Sequence, residues 1–240
     1  MFAHYCRQLL RHGRIDPVEY YVCDRYRVVY VENAKVACTA IKQLLFPEMS
    51  YRELGQDAFH QALRAKARFA LPEGAAGDYL HFSFFREPAA RLTSCYRDKI
   101  RGAAADRAPS IYHTRAQRMI FRLFGGIDVT RPELELGDFA IAASRIPDRL
   151  RDRHIMSQAP IHHAVKQASR SFVGLYENLA TDWNLLAGQS ELPPLPQLNS
   201  SNATDDAVLA MPGPALTCLC TTYAHDYALL GYDLPIGPER

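Results

Sequence analysis

Apolar residues change their spacing along this chain in a repeated order. RVVYV (27–31) is a short β-branched run, and beyond it Ala37, Ile41, Leu44 and Leu45 recur at helical spacing until Pro47. YLHFSFF (79–85) is a second strand pattern, preceded by the loop PEGAAGD; after Pro88 the positions Leu92, Cys95, Tyr96 and Ile100 mark a second helix. Helical patterns follow at about 110–124 and 138–145, with GGID as a break between them. SFVGLYENL (171–179) reads as a third strand, and TDWNLLAG as a helix capped by Thr181 and closed by Gly188. ELPPLPQLNSSNATDD is a loop, and a last helix runs from about 214 to 230 and ends at Gly231. Strands alternating with helices predict an α/β domain with a central parallel sheet flanked by helices.

At 240 residues and 48% apolar composition the chain can bury one core, so a single domain over 1–240 is expected. Within it, 1–26 reads as an N-terminal extension, 27–100 carries two anion-binding elements, 101–170 is mainly helical, and 171–240 holds the last strand, a loop and a helix. A net charge of +2 gives no whole-chain field for nucleic acid or an anionic membrane, so any anion site must be local. The first fifteen residues interrupt every apolar stretch with His or Arg, unlike a secretory leader, and no stretch has the length of a transmembrane helix. The six cysteines lie in apolar segments at irregular spacings and are expected to be reduced, which suits a cytoplasm, with Cys218 and Cys220 read as buried thiols. Cys218 and Cys220 form a CxC pair whose side chains diverge on a helix, so no metal site is expected there.

The loop ENAKVACT joins the first strand to its helix, which gathers backbone N–H groups and the positive end of a helix dipole at one point. Ala34, Ala37 and Cys38 let an anion approach the backbone, Thr39 adds a hydroxyl and Lys35 a mobile charge. The GxxxxGK[ST] signature of nucleotide triphosphatases is absent. Taken alone, this pattern also fits an ordinary turn with a solvated lysine. The segment resembles the 5′-phosphosulfate loop of sulfotransferases, with Ala34 in place of the usual Pro and Lys35, Val36, Ala37, Cys38 and Thr39 on the remaining positions, ahead of Ala40. The resemblance implies that Lys35 contacts the leaving phosphate and Thr39 the 5′-phosphate. Lys42 also matches the carbohydrate branch, or is a solvated helix residue.

Arg86 ends the second strand and Ser94 follows in the next helix, where a guanidinium and a hydroxyl can converge on one phosphate. The string REPAARLTSCYRDK (86–99) resembles the 3′-phosphate element of carbohydrate sulfotransferases, with Arg86, Glu87, Pro88, Arg91, Leu92, Ser94, Tyr96, Arg97, Asp98 and Lys99 on family positions without a gap. DRHIMSQ (152–158), FVGLYENLATDW (172–183), LPQLNSS (195–201) and HDYALLGYD (225–233) resemble later family segments in the same order. The resemblance implies a phosphate-loop-like sulfotransferase fold. It also implies 3′-phosphoadenosine 5′-phosphosulfate (PAPS) as donor, its 3′-phosphate held by Arg86 and Ser94, no metal, and a glycan or glycoconjugate acceptor. Arg91, Arg97 and Lys99 are either phosphate neighbours or ordinary helix charges.

An acceptor hydroxyl needs a base, and histidine titrates near neutrality. His60, in DAFHQALR between the two elements, lies where several sulfotransferase branches place theirs; His154, in DRHIMSQ, resembles a position near the acceptor. His81 reads as a half-buried strand residue, and the adjacent His162 and His163 cannot share a helix face. Arg115, Arg118 and Arg122 form a stripe that would either greet an acidic saccharide or be the solvated side of a helix. A nucleotide-dependent kinase is a rival reading that the missing signature opposes; a non-catalytic nucleotide- or glycan-binding module is another.

Overall fold

The structure, a computed structural model, describes residues 2–70, 77–101, 112, 114–196 and 211–235. In chain order its helices are α1 (Phe2–His12), α2 (Cys38–Leu45), α3 (Tyr51–Leu54), α4 (Gln56–Arg64), α5 (Pro88–Cys95), α6 (Arg115–Ile120), α7 (Leu136–Arg145), α8 (Ala159–Lys166), α9 (Leu179–Ala187), α10 (Gly213–Thr222) and α11 (Ala224–Leu230). The strands are β1 (Tyr20–Cys23), β2 (Val28–Val31), β3 (Leu80–Phe85) and β4 (Ser171–Leu175). The fold is mixed α/β, and it divides into two compact units: a sheet unit of 18–86 with 158–200, and a helical unit of 1–17 with 87–157 and 201–240.

In the sheet unit the strands lie in the order β1-β2-β3-β4. The pairs β2/β3 and β3/β4 are parallel and β1/β2 is antiparallel. The expected parallel strands are therefore present, and β1, in the segment expected to be an extension, adds an antiparallel edge. β2 and β3 are buried along their whole length, as strands covered on both faces must be. Val28, Tyr30, Leu80, Phe82 and Phe84 alternate onto one face and pack with Ile41 and Leu44 of α2, Phe59 and Leu63 of α4, and Trp183 and Leu186 of α9. On the other face, Phe85 meets the ring of His162 from α8. Gly174 of β4 pairs with Phe84, whose ring would lie 2.4 Å from any Cβ there, so the aromatic layer needs glycine at that position.

The helical unit packs α5, α6, α7, α10 and α11 around Tyr112, Phe121, Phe139 and Tyr223, and α5 runs on into a π-helical turn, Tyr96–Arg101. Three expectations change here and in the sheet unit. The last helix breaks at Tyr223 into α10 and α11. α9 begins at Leu179 after Asn178, one turn ahead of Thr181, because a 3₁₀ turn at Tyr176–Asn178 already bends the chain out of β4. The helix expected from about 110 starts at Arg115, where the Thr114 side chain accepts from Gln117 N. Cys218 is exposed rather than buried, while Cys220 is buried, so the two do diverge. No helix among the described residues is long and apolar enough to cross a membrane. Residues 71–76 of the loop before β3, 102–111 and 113 of the acceptor-side segment, and 197–210 of the polar loop lie outside the described residues.

Candidate functional site

The parallel strands β2 and β3 end side by side, and the sheet unit builds its polar cluster at those ends. Beyond Val31 the chain turns through a loop without glycine, in which Lys35 (φ 68°) and Ala37 (φ 52°) both adopt the left-handed region on either side of Val36. Such φ values are rare for residues with a Cβ and cost on the order of 1–2 kcal/mol each, so surrounding contacts must hold them. Asn33 and Val36 are fully buried in that role. Ala37 is the N-cap of α2, and its methyl side chain makes no capping hydrogen bond to the first-turn N–H groups. A Ser, Thr, Asp or Asn cap normally contributes about 1 kcal/mol there, and an anion can fill the same place.

Side chains lock this loop to the end of β3. The Asn33 amide donates to Phe84 O at 3.0 Å and to Gln158 Oε1 at 2.7 Å. Gln158 in turn donates to Arg86 O at 2.7 Å and accepts from Arg86 N at 3.2 Å, pairing with the backbone as a neighbouring strand would. The Arg86 guanidinium donates to Lys35 O at 3.4 Å and lies 4.4 Å over the Tyr176 ring. Arg86 is only 4% exposed, a burial that a guanidinium tolerates when its charge meets oriented oxygens and an aromatic face. Lys35, Cys38 and Thr39 stay half-buried at the same loop, and Ala40 is buried. His60 on α4 brings Nε2 to 3.2 Å from Thr39 Oγ1.

Lys42 departs from the expectation of a solvated helix residue. Its ammonium is buried, 2.6 Å from Glu32 Oε1 and 5.1 Å over the Tyr21 ring. Glu19, also buried, accepts from Tyr21 OH at 2.8 Å and Arg64 Nε at 3.1 Å. Lys42 therefore braces the loop from behind. His81 is fully buried rather than half-buried.

The helical unit holds the other motif residues. Glu87 caps α5 by accepting from Ala90 N and from the Tyr227 hydroxyl, and Ser94 is buried on the same helix. Arg91 is buried and donates to Met156 O at 2.8 Å and Arg153 O at 2.5 Å, while Arg97 is exposed and Lys99 pairs with Asp98 at 3.2 Å. Arg91 thus anchors the DRHIMSQ turn, which Asp16 also grips through Arg153 and Tyr223 OH through Ile155 O. Within that turn Asp152 Oδ1 accepts from His154 N at 2.9 Å and Nδ1 at 2.6 Å. Burial pushes the Asp152 carboxyl up, but the hydrogen bonds and charge of His154 outweigh it and hold it below the usual carboxylate range. His154 itself is partly exposed, so an oriented imidazole backed by a buried carboxylate reaches the surface of this unit. The arginine stripe is partly occupied: Asp128 takes Arg122 at 2.5 Å and Arg118 at 3.9 Å. The Thr130 hydroxyl, and then Arg122, hold Asp128 well below its ordinary value.

Thr39 is thus paired with His60, and Arg86 with the carbonyl of Lys35, within the sheet unit, whereas Ser94 and His154 belong to the helical unit. Sequence reasoning missed Asn33, Gln158, Asp152 and Tyr176. Gln158 and Asp152 stand at the ends of DRHIMSQ and Tyr176 lies in FVGLYENL, so the family-like segments held the signal.

A loop with two left-handed residues at the end of one parallel strand and a buried arginine at the end of the next place backbone N–H groups and a guanidinium within the sheet unit, chemistry that suits an anion. The chain belongs to the sulfotransferase family, whose model matches residues 18–233. It is similar to human carbohydrate sulfotransferase 14, with 27% identity over 261 aligned positions that cover 95% of this chain. The chain spans about 62% of that relative's length. No solved structure matches it.

Proposed function

We propose that this protein transfers the sulfuryl group of PAPS to a hydroxyl of a carbohydrate or glycoconjugate, and that residues 1–240 work as one catalytic domain. The observation that carries the reading is the glycine-free loop with two left-handed residues and an uncapped α2, tied by Arg86 to the end of β3. These residues fit the donor: an open helix start and the Thr39 hydroxyl suit a 5′-phosphate, and Arg86 suits a second phosphate. PAPS supplies an activated sulfuryl group whose leaving group is a phosphate.

The chain's own work is alignment and charge neutralisation. The backbone from Val36 to Ala40 and the Thr39 hydroxyl hold the 5′-phosphate. Lys35 neutralises the charge that develops on the bridging oxygen as its bond to sulfur breaks. Arg86 holds the 3′-phosphate, with Ser94 assigned to the same phosphate by family resemblance. As the acceptor oxygen bonds to sulfur its proton passes to a histidine; His60 and His154 are the two candidates, the first linked to Thr39 and the second oriented by Asp152.

The test is binding and then transfer. The protein should bind 3′-phosphoadenosine 5′-phosphate (PAP) at least tenfold more tightly than AMP, and Arg86→Ala should erase that preference, since charge-assisted bonds to a phosphate contribute about 1.5–3 kcal/mol. Equal affinity of the native protein for PAP and AMP refutes the donor assignment. Transfer of labelled sulfate to a panel of glycans then separates an enzyme from a binding module, with His60→Ala and His154→Ala compared side by side.

A further inference from the structure

The contact between Thr39 and His60 constrains what His60 does. A threonine hydroxyl has one proton to give and lone pairs to receive. With no anion beside it, Thr39 can donate to a bare Nε2 of His60 across the 3.2 Å contact. Once the hydroxyl turns to donate to a phosphate oxygen, only its lone pairs face His60, and Nε2 must carry a hydrogen for the bond to survive. A phosphate beside the ring also favours the imidazolium over the neutral form.

We propose that His60 is a donor-site residue acting through Thr39, so that protonation of His60 and occupation of the 5′-phosphate position favour one another. This rests on the reading of Lys35–Thr39 as the 5′-phosphate loop. The consequence for chemistry is specific: a His60 held as the imidazolium while the donor is bound has no nitrogen lone pair with which to take the acceptor proton, which leaves that role to His154.

Among the described side chains on the surrounding elements, several charged and titratable groups are engaged elsewhere. On α4, Arg64 pairs with Glu19 of the neighbouring segment. On α2 and its loop, Lys42 is committed to Glu32, Cys38 sits at the helix start, and Lys35 gives its carbonyl to Arg86. On α3, Tyr51 lies edge-on to Phe59, whose ring is also edge-on to His60.

The experiment is calorimetric titration of PAP from pH 5.5 to 8.5 into the native protein, His60→Gln, Thr39→Val, Thr39→Ser and the His60→Gln/Thr39→Val double variant. PAP's own phosphate protonation cancels in the ratio of native to variant affinities at each pH. The native protein should bind PAP about tenfold more tightly than His60→Gln at pH 5.5, from a shift of at least one pKa unit beside an opposite charge, and the advantage should vanish by pH 8.5. Thr39→Ser should keep the advantage, and in the Thr39→Val background the His60 substitution should have no effect. NMR titration of the His60 ring protons in the native protein gives an independent readout, with the midpoint rising when PAP is present. Superimposable native and His60→Gln profiles, or an unmoved His60 midpoint, overturn the proposal while leaving the donor reading intact. Failure of the native protein to prefer PAP to AMP overturns the donor reading and this inference with it.

Discussion

Replacing Lys42 with methionine separates a brace from a surface charge. The substitution keeps the aliphatic stem that packs in the sheet unit and removes only the ammonium, which lies 2.6 Å from Glu32 Oε1 with side-chain exposures of 2% and 5% for the two partners. At an effective dielectric near 20 the lost attraction is about 6 kcal/mol, against a desolvation cost of several kcal/mol per ion. What remains after the substitution is a buried carboxylate deprived of its ammonium, and breaking such a pair from one side costs about 3–5 kcal/mol. Urea denaturation followed by circular dichroism should show that loss, and the melting temperature should fall by on the order of 10 °C at a few degrees per kcal/mol. The double variant Lys42→Met/Glu32→Leu removes both charges and should recover most of the stability, because paired apolar replacements are close to neutral. A single-variant cost below about 1 kcal/mol refutes the reasoning and returns Lys42 to the class of solvated helix lysines. A double variant as unstable as the single one assigns the cost to packing instead of charge.

Gly174→Ala should destabilise the protein by about 1–3 kcal/mol through overpacking against the Phe84 ring, and Gly174→Ala/Phe84→Leu should regain part of it in the same urea assay; an unaffected midpoint would show the ring to be free to move. Asp152 supplies a pH-dependent increment with a definite sign. Its folded value lies below the unfolded one of about 3.9, so the stabilisation is present above that pH and drains away as pH falls through the folded value. Melting temperatures from pH 2.5 to 7 should therefore show a steeper acid loss in the native protein than in Asp152→Asn, and parallel curves would remove Asp152 from that role.

Strands β2 and β3 were legible because continuous apolar and β-branched runs announce burial on both faces. β1 was not, because YYVC is four residues long and is recruited by pairing with β2 rather than by any alternation of its own. The loop was legible as a place where an anion can bind, from its small residues, lysine and threonine before a helix. Its left-handed residues were not, since alanine and lysine give no local sign of positive φ. Lys42 and Arg91 show the same limit from the charged side: a cation on a helix reads as solvated until a distant partner, Glu32 or the Arg153 and Met156 carbonyls, is known. Asn33 and Gln158, 125 residues apart, become a pair only in three dimensions. The Arg86 string was readable beforehand as a resemblance; its seat against Tyr176 and Lys35 O was not.

The absence of glycine from the loop around Lys35 and Ala37 bears on when order is established. A glycine-rich cradle reaches left-handed conformations without steric cost, but it carries wide backbone freedom that must be surrendered. Here residues with side chains are forced into those conformations by buried neighbours, so the entropy of ordering is lost when the chain folds and not when a ligand arrives. For an anion that docks there, the receptor is already stiff. Its affinity then owes little to induced ordering, and the loop on its own, cut from the sheet, would not hold the shape.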